Sequence, residues 1–130
     1  MKINRSIDIE DEVRKALSPY MAAYCQPLPA EYDLPNIIVH KNGGTDSDTI
    51  DTFTVSIDSR AKSYAEADET LRNAIGVLKK TAELQTTQIR HVEVNTFGSW
   101  GSDPVRPDLS MCSATLLITA HQEVIDLQEG

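Results

Sequence analysis

Asp46, Asp48 and Asp51 place three carboxylates within six residues, the clustering that a hard cation requires. As a calcium loop the pattern fails, because the sixth position holds Asp51 where glycine belongs and the twelfth holds Ile57 where glutamate belongs. The cluster reads as a solvated turn. His91 with Glu93, and His121 with Glu123, form two H-x-E pairs on outward strand faces, with donors that suit zinc. If the two strands pair with register closing near Thr96 and Met111, His91 falls opposite the residues around Thr115. His121 then lies about five residues further on, roughly 16 Å away at strand rise, so the pairs do not converge. No metal ligand set and no cofactor is expected.

Nucleophilic chemistry has as little support. GSWGS is not G-x-S-x-G, and no strand-to-helix elbow follows it. Cys25 has no histidine near it in sequence, and Cys112 falls on the apolar parity of its strand, where a buried, inert thiol is expected. Gly43 and Gly44 are too short a run to cradle phosphate, and no helix starts directly after them. The sequence reads as a non-enzyme. What remains are residues suited to docking. Trp100, the only tryptophan, sits among glycines, and Arg106 stands between Pro104 and Pro107, so a stiff segment presents two favoured interface anchors. The alternative for Trp100 is a lid on the core. The polar stretch Lys41 to Thr49 is either a disordered tip or an arm that orders on a partner. The interface candidates are Gly43, Gly44, Asp46, Asp48, Trp100 and Arg106.

The elements that must position them follow from periodicity. Ile9, Val13, Leu17, Met21 and Tyr24 share one helical face, with Asp8 as cap and acids in the first turn. Pro19 either kinks that helix or starts a second short one behind Ser18. QPLPAEYDLP is an extended connector, and Ile37 to Val39 form a short strand ended by a long loop. Phe53, Val55 and Ile57 alternate with Thr52, Thr54 and Ser56, a half-buried strand. Ser63 and Glu66 form a capping box before a stripe of Tyr64, Ala67, Leu71, Ala74, Ile75, Leu78 and Ala82. Lys79 and Lys80 near its end suit the dipole, and Gly76 within it points to close packing on a neighbour. Strands around Val92–Val94 and Cys112–Val124 complete the chain, joined by the irregular loop GSWGSDPVRPDL. This order predicts an α+β fold, a four-stranded mostly antiparallel sheet with two helices packed on one face. The other face, rich in hydroxyls, is left open.

The chain has 130 residues, the size of a single domain spanning 1–130, and a net charge of −8. That charge argues against broad phosphate binding, and its cations are scattered. No apolar run reaches a membrane span, and the first residues lack the apolar core of a signal peptide. Two cysteines outside any CxxC point to reduced thiols in a cytosol.

The phrases LPNIIVHKNGG, DTFTVSIDSRAKSYAEADETLRNAIGVL and VEVNTFGSWGSDPVRPDLSMCSATLLITAH, with the element order from about Asp11 to Glu123, resemble the tail terminator, or head-to-tail joining, proteins of long-tailed bacteriophages. The resemblance implies a homo-oligomeric ring, usually of six subunits, that caps the finished tail tube and stops its polymerisation. Its implied partners are the tail tube protein and the head completion or connector protein, with DNA only crossing the lumen and no membrane. It implies assembly in the host cytoplasm and residence at the head–tail junction. Another small head–tail connector protein is the near alternative. A cytosolic adaptor or ligand-binding domain is the alternative from another class.

Overall fold

The computed structural model describes residues 1–129, with the side chain of Ser99 left out. Its elements in chain order are β1 (Lys2–Arg5), α1 (Ile9–Leu17), β2 (Ala22–Cys25), β3 (Asn36–Asp46), β4 (Ile50–Ala61), α2 (Tyr64–Leu84), β5 (Ile89–Ser102), β6 (Ser110–His121) and β7 (Glu123–Asp126). The fold is α+β, with both helices and a mostly antiparallel sheet as the alternation predicts. The strand count differs. Five strands form the main sheet in the order β2-β3-β4-β6-β5, and β1 pairs with β7 in a second, two-stranded sheet. Only the β2–β3 pairing in the main sheet is parallel.

β4 and β6 are its centre because period-two alternation sends Phe53, Val55 and Ile57, and Ala114, Leu116 and Ile118, to one face. Leu71, Ala74, Leu78 and Ala82 of α2, and Val13 and Leu17 of α1, join them in one apolar cluster. Each large side chain buried there contributes about 1.5–3 kcal/mol. Both helices start as the sequence dictates: the Asp8 carboxylate accepts from Asp11 N at 3.2 Å, and the Ser63 hydroxyl accepts from Glu66 N at 3.2 Å. Three expectations on α2 do not hold. Tyr64 is exposed, and the helix runs to Leu84, leaving Lys79 and Lys80 outside its last turn. A Cβ built on Gly76 meets nothing within 4 Å, so close packing does not explain that glycine.

Three segments differ more. The first helix stops at Leu17 rather than Tyr24: Pro19 lies within a turn in which Tyr20 and Met21 N both donate to Leu17 O. Ala22–Cys25 then pairs with Asn36–Val39, so the helical spacing of Met21 and Tyr24 was coincidental. The polar stretch after Val39 is not a loop. β3 runs on through Gly43, Gly44 and Asp46, paired to β4 with a bulge between Lys41 and Gly43, and Ser47 N donates to Ile50 O across the turn. Likewise β5 continues through Trp100 to Ser102, with three register shifts against β6. The irregular connection is therefore only residues 103–109. This shorter connection also moves the register, and His91 pairs with Thr119, two residues from His121. The 16 Å separation expected of the histidines is thus overturned.

Candidate docking surface

The six candidate residues fall at opposite ends of the sheet. Along β4, the hairpin end is marked by Asp51, paired with Ala120, and the other end by Ser59, paired with Cys112 opposite Trp100. Eight residues of strand separate these levels by roughly 27 Å. The structure therefore brings Gly43, Gly44, Asp46 and Asp48 together, brings Trp100 near the loop that carries Arg106, and keeps the two groups apart.

At the hairpin end, every residue from Lys41 to Ile50 is exposed. Order here comes from backbone pairing. A Cβ on Gly44 would lie 2.5 Å from Thr52 O, so β3 can lie this close to β4 only without a side chain at that position. Gln122, in the link between β6 and β7, fastens the turn. Its backbone N donates to Thr49 O at 2.9 Å, and its Nε2 donates to Ser47 O at 3.2 Å and to Asp51 Oδ1 at 3.0 Å. Lys41 to Thr49 is thus a paired hairpin rather than a disordered tip or an unstructured arm. Asp51 is not part of a solvated turn either, since it is 2% exposed on the core side of β4.

At the opposite end, the connector around Tyr32 and the 103–109 loop close over the Asn36 and Arg60 end of the open face. Arg60 is buried, its Nη1 donating to Asp103 Oδ2 at 2.9 Å and its Nε to Asn36 Oδ1 at 3.2 Å. The guanidinium lies 4.7 Å from the Tyr32 ring centroid. The other Asp103 oxygen accepts from Val105 N at 2.8 Å and Arg106 N at 3.2 Å, which folds the loop on itself. Burial alone pushes the Asp103 carboxyl up, but the Arg60 hydrogen bond and these two amides outweigh it and hold the group below its ordinary value. Arg106 reaches outward, its Nη1 donating to Tyr32 Oη at 2.8 Å and its Nε and Nη2 to the Asp108 carboxylate at 3.1 and 2.9 Å. Its guanidinium is thereby presented in a fixed orientation, half-exposed.

Beside this clasp, β5 is the outer strand of the sheet and shows two large aromatics to solvent, Phe97 at 69% and Trp100 at 61% exposure. Trp100 is not a lid on the core. Gly98 between them lies against β6 so closely that a Cβ would stand 2.1 Å from Ser113 O. Sequence reasoning missed Phe97, although its size within a polar strand was a signal, and it missed Tyr32, Arg60 and Asp103. Arg60 on the hydroxyl-bearing parity of β4 was a weak signal, but nothing local names Asp103 as its partner.

Burial raises both thiols: Cys112 beside Asp68, and Cys25, whose Sγ donates to Glu10 O at 3.4 Å. Among the described residues, no three His, Cys, Asp or Glu side chains gather as a metal-binding group, and no helix is long and apolar enough to cross a membrane. A shallow groove of about 580 Å³ runs along α2, lined by Tyr20, Met21, Gly76, Val77 and Leu84. Comparison with known proteins finds no family model that matches the chain and no matching curated protein.

Proposed function

We propose that this chain is a structural assembly protein that closes the end of a phage tail tube as a ring of identical subunits and joins tail to head connector. The observation that carries the reading is the pair Phe97 and Trp100, exposed on an unpaired outer strand beside the oriented Arg106. Large aromatics and arginine are the residues that anchor protein interfaces, and a strand without an outer neighbour offers backbone donors and acceptors to another chain. The hairpin gives a second, separate surface at the far end of the sheet. Two docking ends about 27 Å apart suit a part that must hold two neighbours at once. The net charge of −8 suits a lumen through which DNA passes without sticking.

Electron microscopy of the purified chain, alone and mixed with polymerised tail tubes, tests this. Rings, or a cap at one end of each tube, are expected. A monodisperse monomer that leaves tubes undecorated overturns the reading. Trp100→Ala and Phe97→Ala should abolish capping while shifting stability by no more than about 0.5 kcal/mol, because both side chains are already in water. A second reading, a small adaptor or ligand-binding domain, has the α2 groove in its favour. Tube capping unaffected by changes at Phe97 and Trp100, but lost in Gly76→Trp, would favour the groove as the docking site instead.

A further inference from the structure

Gly76 has no explanation inside the fold. Glycine disfavours a helix relative to alanine, yet the backbone here takes no left-handed turn and a Cβ would meet nothing within 4 Å. Gly76 stands in the row Arg72, Gly76, Lys80 and Leu84, spaced by four along one ridge of α2. All four line the groove of about 580 Å³, together with Tyr20 and Met21 from the segment between α1 and β2. The missing side chain is thus a notch in the ridge, and it opens into the groove. Tyr20 at 73% and Leu84 at 58% exposure leave large apolar surfaces uncovered beside it. The charged lining is wholly cationic, Arg72 and Lys80, in a chain of net charge −8. Each cation is paired along the helix, with Asp68 at 2.9 Å and Glu83 at 3.3 Å, but neither acid lines the groove. Ion pairs open to water contribute little, so an acid arriving in the groove can replace them.

We propose that this groove docks an acidic amphipathic helix of another protein. A large apolar side chain of that helix enters the notch, as the ridge of one helix enters the groove of another. Its carboxylates reach Arg72 and Lys80, which are about 12 Å apart along α2, so the matching acids stand two turns apart. A second copy of the chain does not fit. In a two-fold antiparallel pairing about Gly76, the positions four before and four after it face each other, which sets Arg72 against Lys80 twice. The other helix, α1, has its apolar residues Ile9, Val13 and Leu17 already buried. The inference does not rest on tail capping, since Phe97, Trp100 and Arg106 are not in the groove lining.

Fluorescence anisotropy of labelled, stapled helical peptides of about five turns, titrated with the full chain, tests it. Each peptide carries leucines on one face and, flanking them two turns apart, a pair of glutamates, lysines or glutamines. The glutamate peptide should bind with a Kd below about 100 μM, and the glutamine peptide at least about tenfold more weakly. Gly76→Leu fills the notch with a better helix former, so it should keep the fold and abolish binding. Arg72→Glu combined with Lys80→Glu should transfer the preference to the lysine peptide. Absence of saturable binding of the glutamate peptide up to about 1 mM overturns the proposal. So does equal binding of the lysine peptide to the unaltered chain, or unchanged binding in Gly76→Leu. Self-association in sedimentation that Gly76→Leu removes would assign the groove to a second copy and would also overturn it.

Discussion

The two ends of the sheet are held by different physics. At the hairpin end, side chains from Lys41 to Ile50 all face water, and the shape rests on the backbone ladder, the missing Cβ of Gly44 and the Gln122 fastening. At the other end, a buried Arg60–Asp103 pair, a tyrosine ring and two loop amides hold an otherwise irregular segment. A ladder tolerates almost any exposed side chain. A buried ion pair does not tolerate the loss of one partner, because the remaining charge is stranded away from water. Apart from Gly44, the hairpin is therefore free to vary chemically, whereas the Trp100 end depends on a few distant residues.

The sharpest way to break this contrast is to remove one charge at each end. Asp103→Ala should lower the free energy of unfolding by about 3–5 kcal/mol in urea titrations, since Arg60 is left unpaired. Asp48→Ala should change it by no more than about 0.5 kcal/mol. Replacing Arg60 by Met and Asp103 by Leu together should cost far less than Asp103→Ala alone, because the pair's Coulomb gain is largely offset by its desolvation. Comparable losses in all three variants would show that the loop is not held by this pair.

Gly98→Ala comes next, with an expected loss of about 1–3 kcal/mol as β5 shifts away from Ser113. Circular dichroism melts would read it. A neutral outcome would mean that this end of β5 gives way as easily as a loop.

Acid should also separate the ends. The Asp103 carboxyl titrates below its ordinary value, so the unfolded chain binds its proton first as pH falls. The stability it contributes is complete above the unfolded value of about 4 and is lost as pH drops through the folded one. Urea midpoints followed from about pH 6 to about pH 2.5 should show that loss in the wild type and much less of it in Asp103→Asn. The Asp108 carboxyl is held low by its Arg106 hydrogen bond as well, but it is exposed, and solvent screens its effect on stability. One further change has the opposite sign. Gly76→Ala, in open space on α2 and distant from either end, should stabilise by about 0.5–1 kcal/mol through helix propensity alone.

Where sequence and structure agree, the signal was local. The alternation of Phe53, Val55 and Ile57, the stripe from Ala67 to Ala82, and the caps at Asp8 and Ser63 each involve residues within a few positions of one another. The periodicity of a helix or half-buried strand is set by its own geometry, so it can be read before any partner is known. The docking candidates were legible in the same limited sense. Trp100 and Arg106 stood out as residue types that favour interfaces, but not as neighbours on an outer strand and a stapled loop.

What the chain alone settles is thus the α+β class, the apolar faces of α2, β4 and β6, and the acidic balance. Tertiary structure decides the rest. Ala22–Cys25, the polar half of β3 and the far end of β5 are strands only because another strand lies alongside to take up their backbone hydrogen bonds, which no side-chain pattern announces. Asp103 finds Arg60 from 43 positions away, and Asp51 becomes a buried carboxylate only when β3, β4 and the segment before α1 meet. Hydrogen-bond partners and dielectric surroundings are properties of the assembled neighbourhood, and sequence spacing does not encode them.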